Sequence, residues 1–269
     1  MARYKWIPQF IIQYIGSLES PWYDFAMQSS FALLFAAGAA IGLLWSLIQA
    51  EPKQRPKHLN AGMWVVLGAV LGGRSLHVII DWSYYQAHFI EIPQTWLGGF
   101  SVSGALAGLG FSLLLIALLG DINPDALLPI LTTLSVSLWL GCWSSAYLYG
   151  AQTAAVWSLP LRDEWGEIAL RWPLQPAGAL LTIMTAWGVD AARTRGWIQT
   201  PRLAASLELA CFAILLGTAD SLRADPVPLW RNISPDGWIA FSLAILAILS
   251  ALLIFIQFST QSRKGTKEQ

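Results

Sequence analysis

The chain has 269 residues, 55% of them hydrophobic and 12% charged, with a formal net charge of zero. A soluble domain carries about 25% charged residues, so half that share with long apolar runs identifies an integral membrane protein. The balanced charge offers no basic face for nucleic acid, and three scattered histidines (His58, His77, His88) with two cysteines inside apolar runs (Cys142, Cys211) have no metal-ligand spacing, so neither metal nor cofactor is expected.

Residues 1–22 contain "WIPQFIIQYIG", a stretch too short and too aromatic for a signal peptide, with no small-residue cleavage site after it. It reads as a short interfacial helix. Seven segments follow at 24–48, 62–80, 99–119, 126–149, 175–192, 203–221 and 237–258, each near the roughly 20 residues that cross a bilayer. Charges and helix breakers separate them, as in "EPKQRPKH", "GDINPD", "RDEWGEIALRWPLQP" and "RADPVPLWRNISPDG". Residues 259–269 form a polar tail. The fold class is therefore all-α, a polytopic membrane protein with a single domain over 1–269. Trp22, Trp82, Trp96, Trp197, Trp230 and Trp238 stand at the ends of apolar runs, where an aromatic belt is expected. Lys53, Arg55, Lys57, Arg193, Arg195, Arg202, Arg263, Lys264 and Lys267 fall on one side, against Arg3, Lys5, Arg162, Arg171, Arg223 and Arg231 on the other. That bias puts the N-terminus outside and the C-terminus in the cytoplasm.

The stretch "GGRSLHVIIDW" sets Arg74 inside the second span, and an intramembrane cation implies a functional partner. Arg74, His77 and Asp81 share one helix face. The third span opens on "LGGFSVSG", where Gly98, Gly99 and Gly104 permit close approach, Ser101 and Ser103 add hydroxyls, and the helix start offers unpaired N–H groups. Arg223, with Asp220 three residues before it, and Tyr23 beside Asp24 lie at the same level. Arginine beside a helix N-terminus suits a phosphate. The partner of Arg74 is read as the phosphate of an anionic phospholipid. Other readings stay open: snorkelling of either arginine, pairing of Arg74 with Asp81 or Glu91, and helix packing by glycines, preferred for Gly108 and Gly110. His77 reads as a hydrogen-bonded core residue, and Glu208 as paired or facing a cavity.

Residues 72–108 resemble the prolipoprotein diacylglyceryl transferase family. The matches are Gly72, Gly73, Arg74, Tyr84, Tyr85, Glu91, Ile92, Trp96, Gly98, Gly99, Ser101 and Gly104, and "WYDF" is similar to that family's first-span start. The resemblance implies seven spans in a bacterial plasma membrane, phosphatidylglycerol as donor, and the lipobox cysteine of a prolipoprotein signal peptide as acceptor. It implies catalytic roles for Arg74, Arg223 and the Ser103 position. It further implies lipid or phosphate contacts for Tyr23, Glu91, Gly98, Gly99, Ser101, Gly104, Arg171 and Gln175. The chain departs from the family pattern at Ser103, where a histidine is usual, and at Cys142, where an arginine is usual. "RWPLQPAG" keeps Arg171, Pro173 and Gln175, and "LRADP" keeps Arg223. Two further readings share these residues: a non-catalytic relative binding anionic phospholipid or lipoprotein, and an enzyme with the same donor and another acceptor.

Overall fold

The computed structural model describes residues 21–95, 98–119, 122–227, 229–231 and 233–265, with side chains from 30 to 260. Helix α1 runs Pro21–Gln49, α2 Arg55–Ile80, α3 Trp82–Tyr85 and α4 Val102–Leu119. A 3-10 turn at Pro124–Leu127 leads into α5, Leu128–Ser144. Strands β1 (Leu159–Arg162) and β2 (Ile168–Arg171) precede α6 (Leu174–Thr194), α7 (Leu203–Ser221) and α8 (Pro235–Gly265). The predicted interfacial helix falls largely outside the described residues.

All seven predicted spans are helical over most of their length, but among the described residues only six helices are long and apolar enough to cross a membrane. The exception is α6, on the predicted 175–192 span. Several of its polar residues face protein: Gln175 and Thr182 are each 1% exposed.

Other boundaries also move. The second helix begins at Arg55 rather than 62, because Pro56 at the first turn lacks only an N–H that has no partner there anyway. The fourth stops at Ser144 rather than 149, since Ala146 and Leu148 take left-handed φ angles of 50° and 59°. The polar tail is helical to Gly265.

The all-α expectation needs one correction. The loop "RDEWGEIALR" holds an antiparallel hairpin, β1 paired to β2 from Leu159–Arg171 to Arg162–Ile168. Its turn closes because the Asp163 carboxylate accepts the N–H groups of Trp165 (3.1 Å) and Glu167 (2.9 Å), and Gly166 supplies a φ of +84°.

Helix α5 is the centre of the bundle: 67% of its apolar window is buried, against 22% for α8. Helix α1 packs on α5, α2 on α4, α7 on α8, and α6 lies between α5 and α7. Lipid tails provide no hydrophobic drive between helices, so close backbone approach does more of the work. At the α2–α4 crossing a Cβ on Gly72 would lie 2.8 Å from the Gly108 Cα, and one on Gly104 would lie 2.6 Å from the Gly72 carbonyl oxygen. Gly104 therefore serves this seam. A Cβ on Gly110 would sit 3.1 Å from Leu209 of α7, closer than an ordinary van der Waals contact, so Gly110 also serves helix packing.

Contacts sort the helix ends. Phe31, early in α1, lies against Gly141, late in α5. Gly73, late in α2, accepts the Ser101 N–H just before α4. The Gln175 side chain, at the start of α6, donates to the Tyr147 carbonyl beyond α5. Arg223, beyond α7, lies over the Tyr147 ring, and Tyr147 reaches Asp236 at the start of α8. One end of the bundle thus gathers the starts of α1, α4, α6 and α8 and the ends of α2, α5 and α7.

Candidate functional site

Of the polar groups expected to converge, Arg74, Arg223, the Gly98–Gly99 turn, Ser101 and Ser103 lie at this end. Arg74 is only 6% exposed. Its guanidinium donates from Nε to the Ile92 carbonyl (2.7 Å), from Nη1 to the Gly98 (2.7 Å) and Gly99 (2.9 Å) carbonyls, and from Nη2 to the Glu91 carbonyl (2.5 Å). The Tyr85 ring lies 5.2 Å below it. The partners of the intramembrane cation are thus backbone oxygens of its own chain, those of Glu91, Ile92, Gly98 and Gly99. A guanidinium presents five N–H donors in a fixed planar fork, which reaches these separated acceptors better than the three donors of a single ammonium nitrogen. Glu91 contributes its carbonyl to Arg74 and its carboxylate to the Tyr84 hydroxyl at 2.8 Å.

The turn that Arg74 holds is possible because Gly98 and Gly99 adopt φ angles of 86° and 75°. Gly99 is needed for a second reason: a Cβ there would collide with the His77 imidazole, Nε2 being its nearest atom. On the other side of that ring, Nδ1 is 3.2 Å from the Asp81 carboxylate. His77 and Asp81 are one helical turn apart, so α2 itself builds the pair.

Ser101 caps α4: its Oγ accepts the Gly104 N–H at 2.9 Å. It donates to Asp236 Oδ1 at 2.5 Å, and Ser103 donates to the same oxygen. The Tyr147 hydroxyl donates to Asp236 Oδ2 at 3.2 Å. A carboxylate from α8 therefore occupies the positive end of α4, where the sequence suggested an external anion. Ser103, at 0% exposure, is engaged there.

Arg223 is buried between two carboxylates. Nη1 meets Asp220 at 2.9 Å, Nε meets Asp225 at 2.7 Å, and Nη2 meets Asp225 as well. Burial alone would lower its pKa, but the bonds to Asp225 and Asp220 outweigh that and raise it, so it remains a cation. Asp220 also accepts from Ser234, and Asp225 from the Leu148 N–H, so the group ties α7, α8 and the chain after α5 together.

Arg171 donates to Asp163 at 2.8 Å and lies over the Tyr149 ring at 4.7 Å. Its Nε and the Gln175 Oε1 are buried without a hydrogen-bond partner among the described residues. Isolated bridges Gly150–Arg223 and Gln152–Arg171 put both arginines along one stretch of chain. Of the two residues where the family pattern is broken, Ser103 is described above, and Cys142 is a free, fully buried thiol. Glu208 is buried and accepts from Thr132, away from this end. The side chain of Tyr23 lies outside the described residues.

Sequence reasoning missed Asp236, Asp225, Tyr147 and Asp163. Asp236 in "SPDG" reads as a helix-start acid, and only the fold brings it to Ser103, 133 positions away. The signal for His77 was present, as the three- and four-residue spacing from Arg74 to Asp81.

A family profile described as prolipoprotein diacylglyceryl transferase matches residues 23–256. Curated relatives named phosphatidylglycerol--prolipoprotein diacylglyceryl transferase are similar over a shorter stretch. That of Listeria monocytogenes serovar 1/2a (strain ATCC BAA-679 / EGD-e) is 28% identical over 96 residues, 35% of this chain and 32% of the relative. That of Geobacillus kaustophilus (strain HTA426) is 27% identical over 100 residues, 36% and 34%. That of Acaryochloris marina (strain MBIC 11017) is 29% identical over 96 residues, 35% and 32%. The chain spans about a third of the length of the curated relatives it matches.

Proposed function

The chain belongs to the prolipoprotein diacylglyceryl transferase family, and from that premise we propose that it transfers the diacylglyceryl group of phosphatidylglycerol to the lipobox cysteine of prolipoproteins. The relatives' names support this donor and acceptor. In the reaction the thiol loses its proton and sulfur attacks the glycerol carbon that carries the phosphate ester. The carbon–oxygen bond breaks and glycerol phosphate leaves with the electron pair. The site must therefore accept a proton and stabilise a departing phosphate.

The observation that carries the reading is the Arg74-held turn at Gly98–Gly99, which gathers polar groups beside the start of α4 at one end of otherwise apolar helices. In this reading Arg74 and Arg223 position their loops. Arg171, with its unpartnered Nε, and Gln175 meet the phosphate. Ser103 fixes the carboxylate at the start of α4, and Glu91 holds Arg74 through its carbonyl. The protein sits in a bacterial plasma membrane with seven crossings and this end outside, where phosphatidylglycerol and an exported signal peptide can both reach it.

One observation favours a second reading. Asp236 fills the anion position at the start of α4, and two carboxylates neutralise Arg223. A chain with that arrangement could bind anionic phospholipid or a lipoprotein signal segment without transferring lipid. The test is a lipobox peptide added to purified protein in phosphatidylglycerol vesicles, with mass spectrometry of the cysteine. Added diacylglycerol, lost in Arg171→Gln and in phosphatidylcholine vesicles, is expected. An unmodified peptide with phosphatidylglycerol still co-purifying would establish the second reading instead.

A further inference from the structure

We infer that His77, oriented by Asp81, is the group that takes the proton of the acceptor thiol in this chain. The inference deepens the transferase reading and rests on it. Its starting point is elimination among the titratable groups at the polar end. Ser103 stands where the family carries a histidine, but its hydroxyl is fully buried and donates to Asp236. Asp236 accepts from three hydroxyls, those of Ser101, Ser103 and Tyr147, so both its oxygens are engaged within the chain. Asp220 and Asp225 are held by Arg223, and Glu91 accepts from Tyr84.

His77 has the opposite character. Its Nδ1 faces the Asp81 carboxylate at 3.2 Å, with side-chain exposures of 28% and 51%. A carboxylate on one ring nitrogen keeps the proton there and leaves the other nitrogen as the acceptor. That other nitrogen, Nε2, packs on the Cα of Gly99, where an added Cβ would collide with it, and no hydrogen bond reaches it among the described residues. A second observation is independent of the pair. The turn carrying Gly99 is held against the imidazole by Arg74, whose Nη1 binds the Gly98 and Gly99 carbonyls. Arg74 and the two glycines thus fix the turn that packs against the imidazole. Imidazole is also the side chain whose ordinary pKa suits proton abstraction near neutrality.

The step balances simply. The thiol proton passes to Nε2 and gives an imidazolium, stabilised by Asp81. Sulfur forms its bond to the glycerol carbon as the carbon–oxygen bond breaks, and the electron pair leaves on glycerol phosphate. The imidazolium then releases its proton to that phosphate or to water. The charged groups around the ring are Arg74 and Asp81 from its own helix and Asp236 from α8, with Tyr85 packed edge-on at 5.8 Å.

The test uses full-length protein in phosphatidylglycerol vesicles with a lipobox peptide, comparing wild type, His77→Gln and Asp81→Asn by two readouts. The first is transfer across pH 5–9. His77→Gln should lose at least about 10²-fold, with partial rescue by added imidazole. Asp81→Asn should lose less and move the acid limb of the profile to lower pH, because the imidazolium loses its anion. The second readout is alkylation of the peptide cysteine by iodoacetamide, which reports thiolate and needs no transfer. Wild-type protein should accelerate it, and His77→Gln should not. Wild-type transfer with His77→Gln within threefold of it would overturn the inference while the transferase reading stands. If no variant transfers, the transferase reading fails, and the alkylation comparison decides the inference: acceleration dependent on His77 supports it, and equal rates overturn it.

Discussion

Arg74 shows why an arginine in a membrane protein can matter through its shape. Four backbone oxygens on three nitrogens tie the chain before α4, at Glu91, Ile92, Gly98 and Gly99, to α2. Hydrogen bonds from a charged donor contribute about 1.5–3 kcal/mol each when buried, and the three donors of a single ammonium nitrogen fit these separated acceptors poorly. Arg74→Lys should therefore behave almost like Arg74→Ala. Both should speed amide exchange of residues 91–101 by roughly 10²-fold or more, a loss of nearly 3 kcal/mol of local protection. Hydrogen-exchange mass spectrometry checks this, and full protection in Arg74→Lys would show that charge alone suffices. The sequence marked this residue, because a cation in an apolar run stands out. It did not reveal the partner, because backbone carbonyls have no letter. Asp236 was hidden for a related reason: an acid after Ser-Pro at a helix start is common, and nothing local connects it to Ser101 and Ser103.

At the level of elements, the helices were legible because apolar runs near bilayer length have few alternatives. Their ends were less so. Helix α5 stops where two non-glycine residues turn left-handed, and no composition signal announces that at "AYLYG". The hairpin was missed because its strands have only four residues each and carry charge. Helix α7 begins by a device that is equally non-local. Arg202 sits at a φ of 71°, and the buried Asp125 carboxylate accepts the N–H groups of Arg202 (2.8 Å) and Ala205 (2.9 Å). Asp125 thus acts as the N-cap that the local sequence does not provide, from the turn before α5. Asp125→Ala should destabilise the protein by about 1–2 kcal/mol, the usual cost of losing a cap. Asp125→Asn, which keeps one acceptor oxygen, should lose less. Thermal unfolding in detergent ranks the variants; an unchanged midpoint for Asp125→Ala would mean that water replaces the cap without cost.

The arrangement of the whole molecule bears on how many times the chain crosses the bilayer. Asp125 ties the start of α7 to the start of α5, and Tyr147 and Arg223 bring the ends of the same two helices together. Helices α5 and α7 therefore run parallel, and the chain must return between them. The return is α6, whose 21 residues make roughly 31 Å at 1.5 Å per residue, close to the hydrocarbon thickness of about 30 Å. Its modest apolarity has a physical reason. Gln175 bonds the Tyr147 carbonyl, and Thr182 accepts from the Trp139 indole at 3.0 Å, while Leu180, Leu181, Ile183, Met184 and Trp187 are exposed on the outer surface. A helix with one face on protein and one on lipid can carry polar residues that a mean over its whole length counts against it. The expected result is that α6 crosses. In a cysteine-free background, Glu164→Cys in the hairpin should react with a membrane-impermeant maleimide in intact cells. In the proposed topology, which follows the excess of Lys and Arg on that side, Arg195→Cys and Lys57→Cys should react only after lysis. Labelling of Glu164→Cys and Arg195→Cys from the same side would mean that α6 does not traverse. The parallel course of α5 and α7 would then have to arise within the membrane plane, and the polar end would no longer be a single surface open to donor and acceptor together.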